Sequence, residues 1–122
     1  MMKAPSPWLF LGASLWLGGC GTPPPVAEMA SAKTAISSAE TSDAKTYAAA
    51  ELERARMRME QAEAALQKGD HDEARRLAQQ ALADANYAKA KADSDKSKTS
   101  AHELKESIDT LRHEIDRSSQ LK

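Results

Sequence analysis

His102, Glu106, Asp109 and His113 recur at intervals of four, three and four residues, the spacing that aligns side chains on one helical face. Imidazole and carboxylate one turn apart, as in His102 and Glu106, form a donor pair able to bridge a zinc-type ion. The zinc-protease pattern needs a second histidine four residues after the first, and His102-Glu103 is followed there by Glu106 instead. Leu104, Ile108 and Leu111 fall roughly opposite, so the four polar groups form the solvated side of an amphipathic helix. His71 stands in a turn-forming sequence, and no serine or threonine has a credible base partner for nucleophilic chemistry. No glycine-rich phosphate loop is present. Arg54, Arg56, Arg58, Arg75 and Arg76 would attract an anionic lipid or glycan, but Glu51, Glu53, Glu60 and Glu63 interleave with them. No catalytic residue, metal site or cofactor is implied. One reactive group is left, the single cysteine, Cys20.

Cys20 ends the run Leu17-Gly18-Gly19-Cys20, after the apolar stretch Trp8 to Leu17 and before Thr22-Pro23-Pro24-Pro25. Lys3 supplies the positive charge of an export signal, and Gly18 and Gly19 are the small residues a signal peptidase accepts. Ten apolar residues as a helix cover about 15 Å, half of the roughly 30 Å hydrocarbon core, so this is no spanning segment. A lone thiol has no internal disulfide partner in an oxidising compartment, which favours its modification. The run Leu-Gly-Gly-Cys resembles the bacterial lipobox. That resemblance implies a signal peptide at 1–19, cleavage between Gly19 and Cys20, and acylation of Cys20. Two or more acyl chains anchor stably where one binds only marginally. In lipoproteins of that type the residue after the cysteine directs sorting, and Gly21 implies export to the outer membrane, on its periplasmic face.

Removing the first 19 of 122 residues leaves 103, enough for one small domain. Lys3 goes with them, leaving 16 basic against 18 acidic side chains, which argues against a nucleic-acid partner. Trp8, Phe10 and Trp16 all lie in the signal, so Tyr47 and Tyr87 are the only aromatic residues beyond it. Alanine dominates the apolar set. It has the highest helix propensity but little surface to bury, so any core is thin and cannot wall a large pocket. Enzyme chemistry is disfavoured on that ground.

The prolines after Cys20 predict an extended, semi-rigid tether over 20–26. From Val26 onward there is no proline and only one glycine, Gly69, which predicts helix throughout. A first segment, about 27–42, spaces Met29, Ala32, Ile36 and Ala39 by threes and fours. Thr41-Ser42-Asp43 offers cap residues for a break. A second segment, about 46–68, carries Ala48, Leu52, Ala55, Met59, Ala62 and Leu66 in an a/d rhythm, with intrahelical pairs expected at Glu51–Arg54, Glu53–Arg56 and Arg56–Glu60. Gly69 predicts a left-handed helix end, and Asp70 an N-cap with Glu73 three residues later. The third segment repeats the rhythm through Ala74, Ala78, Ala81, Ala85, Ala88 and Ala92, with Leu77, Leu82 and Tyr87 beside it. A connection this short predicts an antiparallel hairpin. Apolar positions vanish between Asp93 and Ser100, then resume out of register at Ala101, Leu104, Ile108, Leu111 and Ile115.

Tyr47-Ala48-Ala49-Ala50-Glu51-Leu52 resembles the Tyr-Ala-Pro-x-Glu-Leu signature of the alanine-rich envelope lipoproteins grouped as domain of unknown function 4398, and Gly69 to Ala81 resembles their hairpin turn. The resemblance spans about 30–92. It implies an envelope lipoprotein, as members of that family are, some of them beside or fused to OmpA-like peptidoglycan-binding domains, and it carries over no site residue. Ala49 stands where that signature has proline, so the break before the second helix is less enforced here. Gly69-Asp70-x-x-x-Ala74 with Ala81 also resembles half of a tetratricopeptide repeat. The ending Gln120-Leu121-Lys122 is similar to Braun-type murein lipoproteins, whose terminal lysine is joined to peptidoglycan.

The expected fold is all-α: an antiparallel helical hairpin or three-helix bundle over 27–95, turning at 69–70, with a coiled-coil-like helical extension over 96–122. Folding back of that extension onto the hairpin is the simplest way to cover its stripe. Otherwise Leu104, Ile108, Leu111 and Ile115 pair with another chain, a second copy or a partner helix. The expected function is a non-catalytic structural or adaptor element of the bacterial envelope. It would be held to the membrane through lipid on Cys20, with an OmpA-like protein or peptidoglycan as partner. The alternatives are a murein lipoprotein linked through Lys122 and a tetratricopeptide-like peptide-binding module.

Overall fold

The computed structural model describes residues 21–121, so the signal segment 1–19, the cleavage site Gly19–Cys20 and Lys122 lie outside the described residues. Four helices follow one another: α1 (Val26–Thr41), α2 (Ala44–Tyr47), α3 (Ala49–Gln67) and α4 (His71–Gln120). The protein is all-α, and no strand occurs among the described residues.

The chain turns where its residue types dictate. Gly69 adopts φ 78°, a left-handed conformation that costs a side chain about 1–2 kcal/mol. Its N–H donates to Leu66 and that of Asp70 to Ala65, both at 3.0 Å, which completes a Schellman close to α3. Asp70 then caps α4 by accepting from the Glu73 N–H at 3.2 Å. The return half of the capping box is not made. The Asp70 N–H is already committed to Ala65, and the Glu73 carboxylate pairs with Arg76.

Two breaks separate α1 from α3. Ser42 is extended at ψ 176° and directs its hydroxyl to the Ala39 carbonyl at 2.7 Å. The second lies at Ala48, with φ −143° and ψ 40°. The kink before Ala49 is thus present without proline. Ala49 occupies the first helical position, where proline is best tolerated, and Ala48, 1 % exposed, is held by packing.

The helices form an up-down-up bundle. Glu28 of α1 meets Arg75 near the start of α4 and Ser38 meets Lys89 further along, so these two helices run parallel. Lys33 meets Glu63, and Glu40 meets Arg56, so α3 runs opposite to α1. One end, the base, gathers the starts of α1 and α4 with the Gly69 turn. The other end carries α2, which lies against α4. The core is an alanine seam with few large members. Met29, Met59, Leu77 and small residues fill the basal half; Leu52, Ala44, Ala48, Ala88 and Ala92 fill the upper half, with Ile36 packed against both.

The extension does not fold back. Helix α4 continues for 50 residues, about 75 Å, straight through Asp93–Ser100. Nothing in that stretch stops a helix. It holds no proline or glycine, and Ser97 and Thr99 return their hydroxyls to the Asp93 and Asp95 carbonyls at 2.8 and 3.1 Å. Burial ends at Ala92, and beyond half-buried Asp95 every described residue is exposed.

Candidate interaction surfaces

At the base, the end of the tether is clamped to α4. Arg75 donates through Nε to Glu28 Oε1 at 2.9 Å, through Nη2 to the Pro23 carbonyl at 3.0 Å and through Nη1 to Asp72 Oδ1 at 3.4 Å. Its planar fork suits three acceptors at fixed angles. The His71 Nδ1–H donates to the Thr22 carbonyl at 2.5 Å, and the Thr22 hydroxyl to Asp72 at 3.2 Å. Pro25 is buried, and its carbonyl accepts from Met29 at 3.0 Å as α1 begins. Glu28 is held below the usual carboxylate range, first by its own backbone N–H in the opening turn of α1 and then by Arg75. The final residues of the expected tether are therefore docked, not free. Sequence periodicity gave no sign of this, because the partners are separated by about fifty positions and Arg75 sits among other arginines.

Between α1 and α3 lies a shallow groove of about 260 Å³ lined by Lys33, Ile36, Ser37, Glu40, Arg56 and Met59. Most of its charged groups are matched within the bundle, Glu60 on its rim excepted. Lys33 pairs with Glu63 at 2.8 Å, and Arg56 with both Glu40 and Glu53. These hydrogen bonds to Glu40 and Glu53 push the Arg56 guanidinium above its ordinary value. Of the intrahelical pairs the spacing suggested, Glu53–Arg56 forms. Arg56 takes Glu40 in place of Glu60, and Arg54 joins Arg58 on Asp84 of α4, at 3.3 and 2.5 Å. Small seam residues let the helices approach closely enough for charges to pair across them.

Further along, Asp95 accepts from Lys91 at 2.7 Å and Lys98 at 3.3 Å, and these two amines lower its pKa. Lys96 reaches Asp43 at 2.5 Å, beside the α1–α2 break. The Lys96–Asp43 pair is the last of the described ion pairs between α4 and the bundle. On the projecting rod, His102 and Glu106 stand 3.6 Å apart, both well exposed, and Arg112 is 3.6 Å from Asp109. No three potential metal ligands converge among the described residues. Leu104, Ile108, Leu111 and Ile115 are 62, 40, 61 and 65 % exposed. Tyr87, which the rhythm set beside the core, is 56 % exposed on the same helix. No described helix is long and apolar enough to cross a membrane.

A sequence model of the family described as domain of unknown function DUF4398 matches residues 27–104, which takes in the bundle and the first turns of the rod. No curated protein matches the chain, and no solved structure does.

Proposed function

The chain belongs to the DUF4398 family, whose description assigns no activity, and from its own residues and geometry we propose a lipid-anchored, non-catalytic structural or adaptor element of the bacterial envelope. Acylation at Cys20 would hold it to the periplasmic face of the outer membrane. The observation that carries this reading is the polarity of the molecule. The tether that leads from Cys20 is clamped at the base through Thr22 and Pro23. From that point α4 runs about 75 Å in one direction, away from the anchored end. The groove between α1 and α3 is shallow and most of its charges are paired internally, which favours a spacer or scaffold over a peptide-binding module. The rod end would contact the OmpA-like protein or the peptidoglycan.

Two measurements test it. Metabolic palmitate labelling should mark the protein and be lost in Cys20→Ala; equal labelling of the variant removes the anchor. Crosslinking of intact envelopes followed by pull-down should recover an envelope protein of the OmpA-like class or glycan fragments. Recovery of lipid-handling machinery alone defeats the adaptor role. A muropeptide digest belongs to the same experiment, since a protein-linked species there would replace the adaptor reading by covalent linkage through Lys122.

A further inference from the structure

The face of α4 turned away from α1 and α3 differs in composition from an ordinary solvated face. Moving two residues on from each bundle-facing position turns about 200° round the helix. Ala85, Ala88 and Ala92, all buried, become Tyr87, Ala90 and Ser94, all exposed. From Tyr87 the three-and-four spacing continues through Ala90, Ser94, Ser97, Ala101, Leu104, Ile108, Leu111, Ile115 and Ser118. None of these ten positions is charged, although fourteen Asp, Glu, Lys and Arg side chains lie between Tyr87 and Ser118. A helix surface selected only for solvation has no reason to clear one strip of charge.

We propose that two copies of this chain pair in parallel along this outer strip of α4, from Tyr87 to Ser118, as a left-handed two-stranded coiled coil. Three observations select this occupant. Ile108 and Ile115 take the a positions and Leu104 and Leu111 the d positions. That combination favours two parallel strands. Next, Lys105 and Arg112 flank the strip at e. An antiparallel pair setting Ile108 against Leu111 would bring Lys105 of each copy against Arg112 of the other. Parallel strands set these cations opposite Ser100 and Ser107 instead. Finally, the bundle lies on the far side of α4, so two parallel copies carry their bundles outermost and do not collide.

The pairing has a predictable strength and shape. The strip is about 48 Å long. A contact one helix wide along it covers roughly 1,000 Å² over both chains, the lower bound for a specific interface. Association is therefore concentration-dependent. A straight helix drifts about 20° per heptad, so joining Tyr87 and Ile115 in one contact requires the supercoil. The proposal is independent of the lipid anchor, though anchoring at the base would present copies in the required orientation.

Sedimentation equilibrium of the purified protein over a concentration series should give a mass that rises from one chain to two. The double variant Leu104→Asp, Leu111→Asp alters residues exposed in the single chain. It should keep the melting transition of the bundle and weaken association at least tenfold. Photo-crosslinking through benzoylphenylalanine in place of Tyr87 should join that position to residues 83–90 of the second copy. The proposal is overturned by a single-chain mass throughout, which would leave the strip to a foreign helix, or by a three-chain limit. Undiminished association of the double variant, or crosslinks to the distal half of the rod, would overturn it equally.

Discussion

Gly69 is the one described residue at positive φ, and an added Cβ there would meet nothing within 4 Å. Gly69→Ala is therefore a purely conformational test. It should lower stability by about 1 kcal/mol in urea titration with an unchanged slope, and Gly69→Asn should recover part of the loss. Charged residues act more weakly, because their pairs are solvated and median surface pairs contribute about 0–1 kcal/mol. Their signature is a pH profile. Glu28, Glu73 and Asp95 have lowered folded pKa values, from the Glu28 backbone N–H with Arg75, from Arg76, and from Lys91 with Lys98 respectively. The stability they add is present above the ordinary carboxylate value of about 4 and is lost as pH falls through the lowered folded values. Arg56, Arg76, Lys91 and Lys96 are raised by their carboxylate partners, so their contribution holds below the ordinary lysine value and fades only at strongly alkaline pH. Melting temperature followed by circular dichroism should be flat from about pH 5 to 9 and decline on the acid side. About 1 M salt should shrink that decline, because these pairs are screened.

At the scale of the helix, packing rests on residues too small to be replaced. Ala81 is fully buried where α4 meets the other helices, whereas Ala50 is exposed on α3. Ala81→Leu should cost about 1–3 kcal/mol by overpacking, and Ala50→Leu close to nothing. Chemical denaturation of the two variants separates seam from surface, and equal effects would contradict the close-packed seam. The seam was legible in the sequence: Ala74, Ala78, Ala81, Ala85, Ala88 and Ala92 follow the a/d rhythm, and all are buried. The turn at Gly69 was legible as well, because one residue type alone fits it cheaply. The break at Ala48 was harder to read, since alanine carries no breaking signal and the conformation is imposed by neighbours. The path of the extension was not legible for a related reason. Polar Asp93–Ser100 left both a bend and a continuous rod open, and the rod forms because a polar helix stays helical when no residue interrupts its backbone hydrogen bonds. Of the candidate surfaces, the rod's stripe could be read from spacing. The Arg75 clamp could not, because no local pattern pairs it with Pro23 or Glu28.

For the whole molecule, the dominant fact is an unbroken α4 with the bundle confined to its first half. Small-angle scattering should return a maximum dimension of at least about 75 Å. The radius of gyration should lie well above the roughly 13 Å of a compact chain of about 100 residues. A value near the compact one would mean that the rod folds back. Parallel pairing would thicken the particle without lengthening it, so maximum dimension should change little with concentration. The polar stretch Asp93–Ser100 also sets an angle. Because a helix converts residue count into rotation, its length fixes which way the distal stripe points relative to the bundle. A seven-residue insertion there would lengthen the span by about 10 Å and leave that heading nearly unchanged. Loss of two residues would swing the stripe round by more than half a turn, onto the side occupied by α1 and α3. In this molecule a short run of serines, aspartates and lysines works as a compass setting, so a change in its length alters direction more sharply than reach.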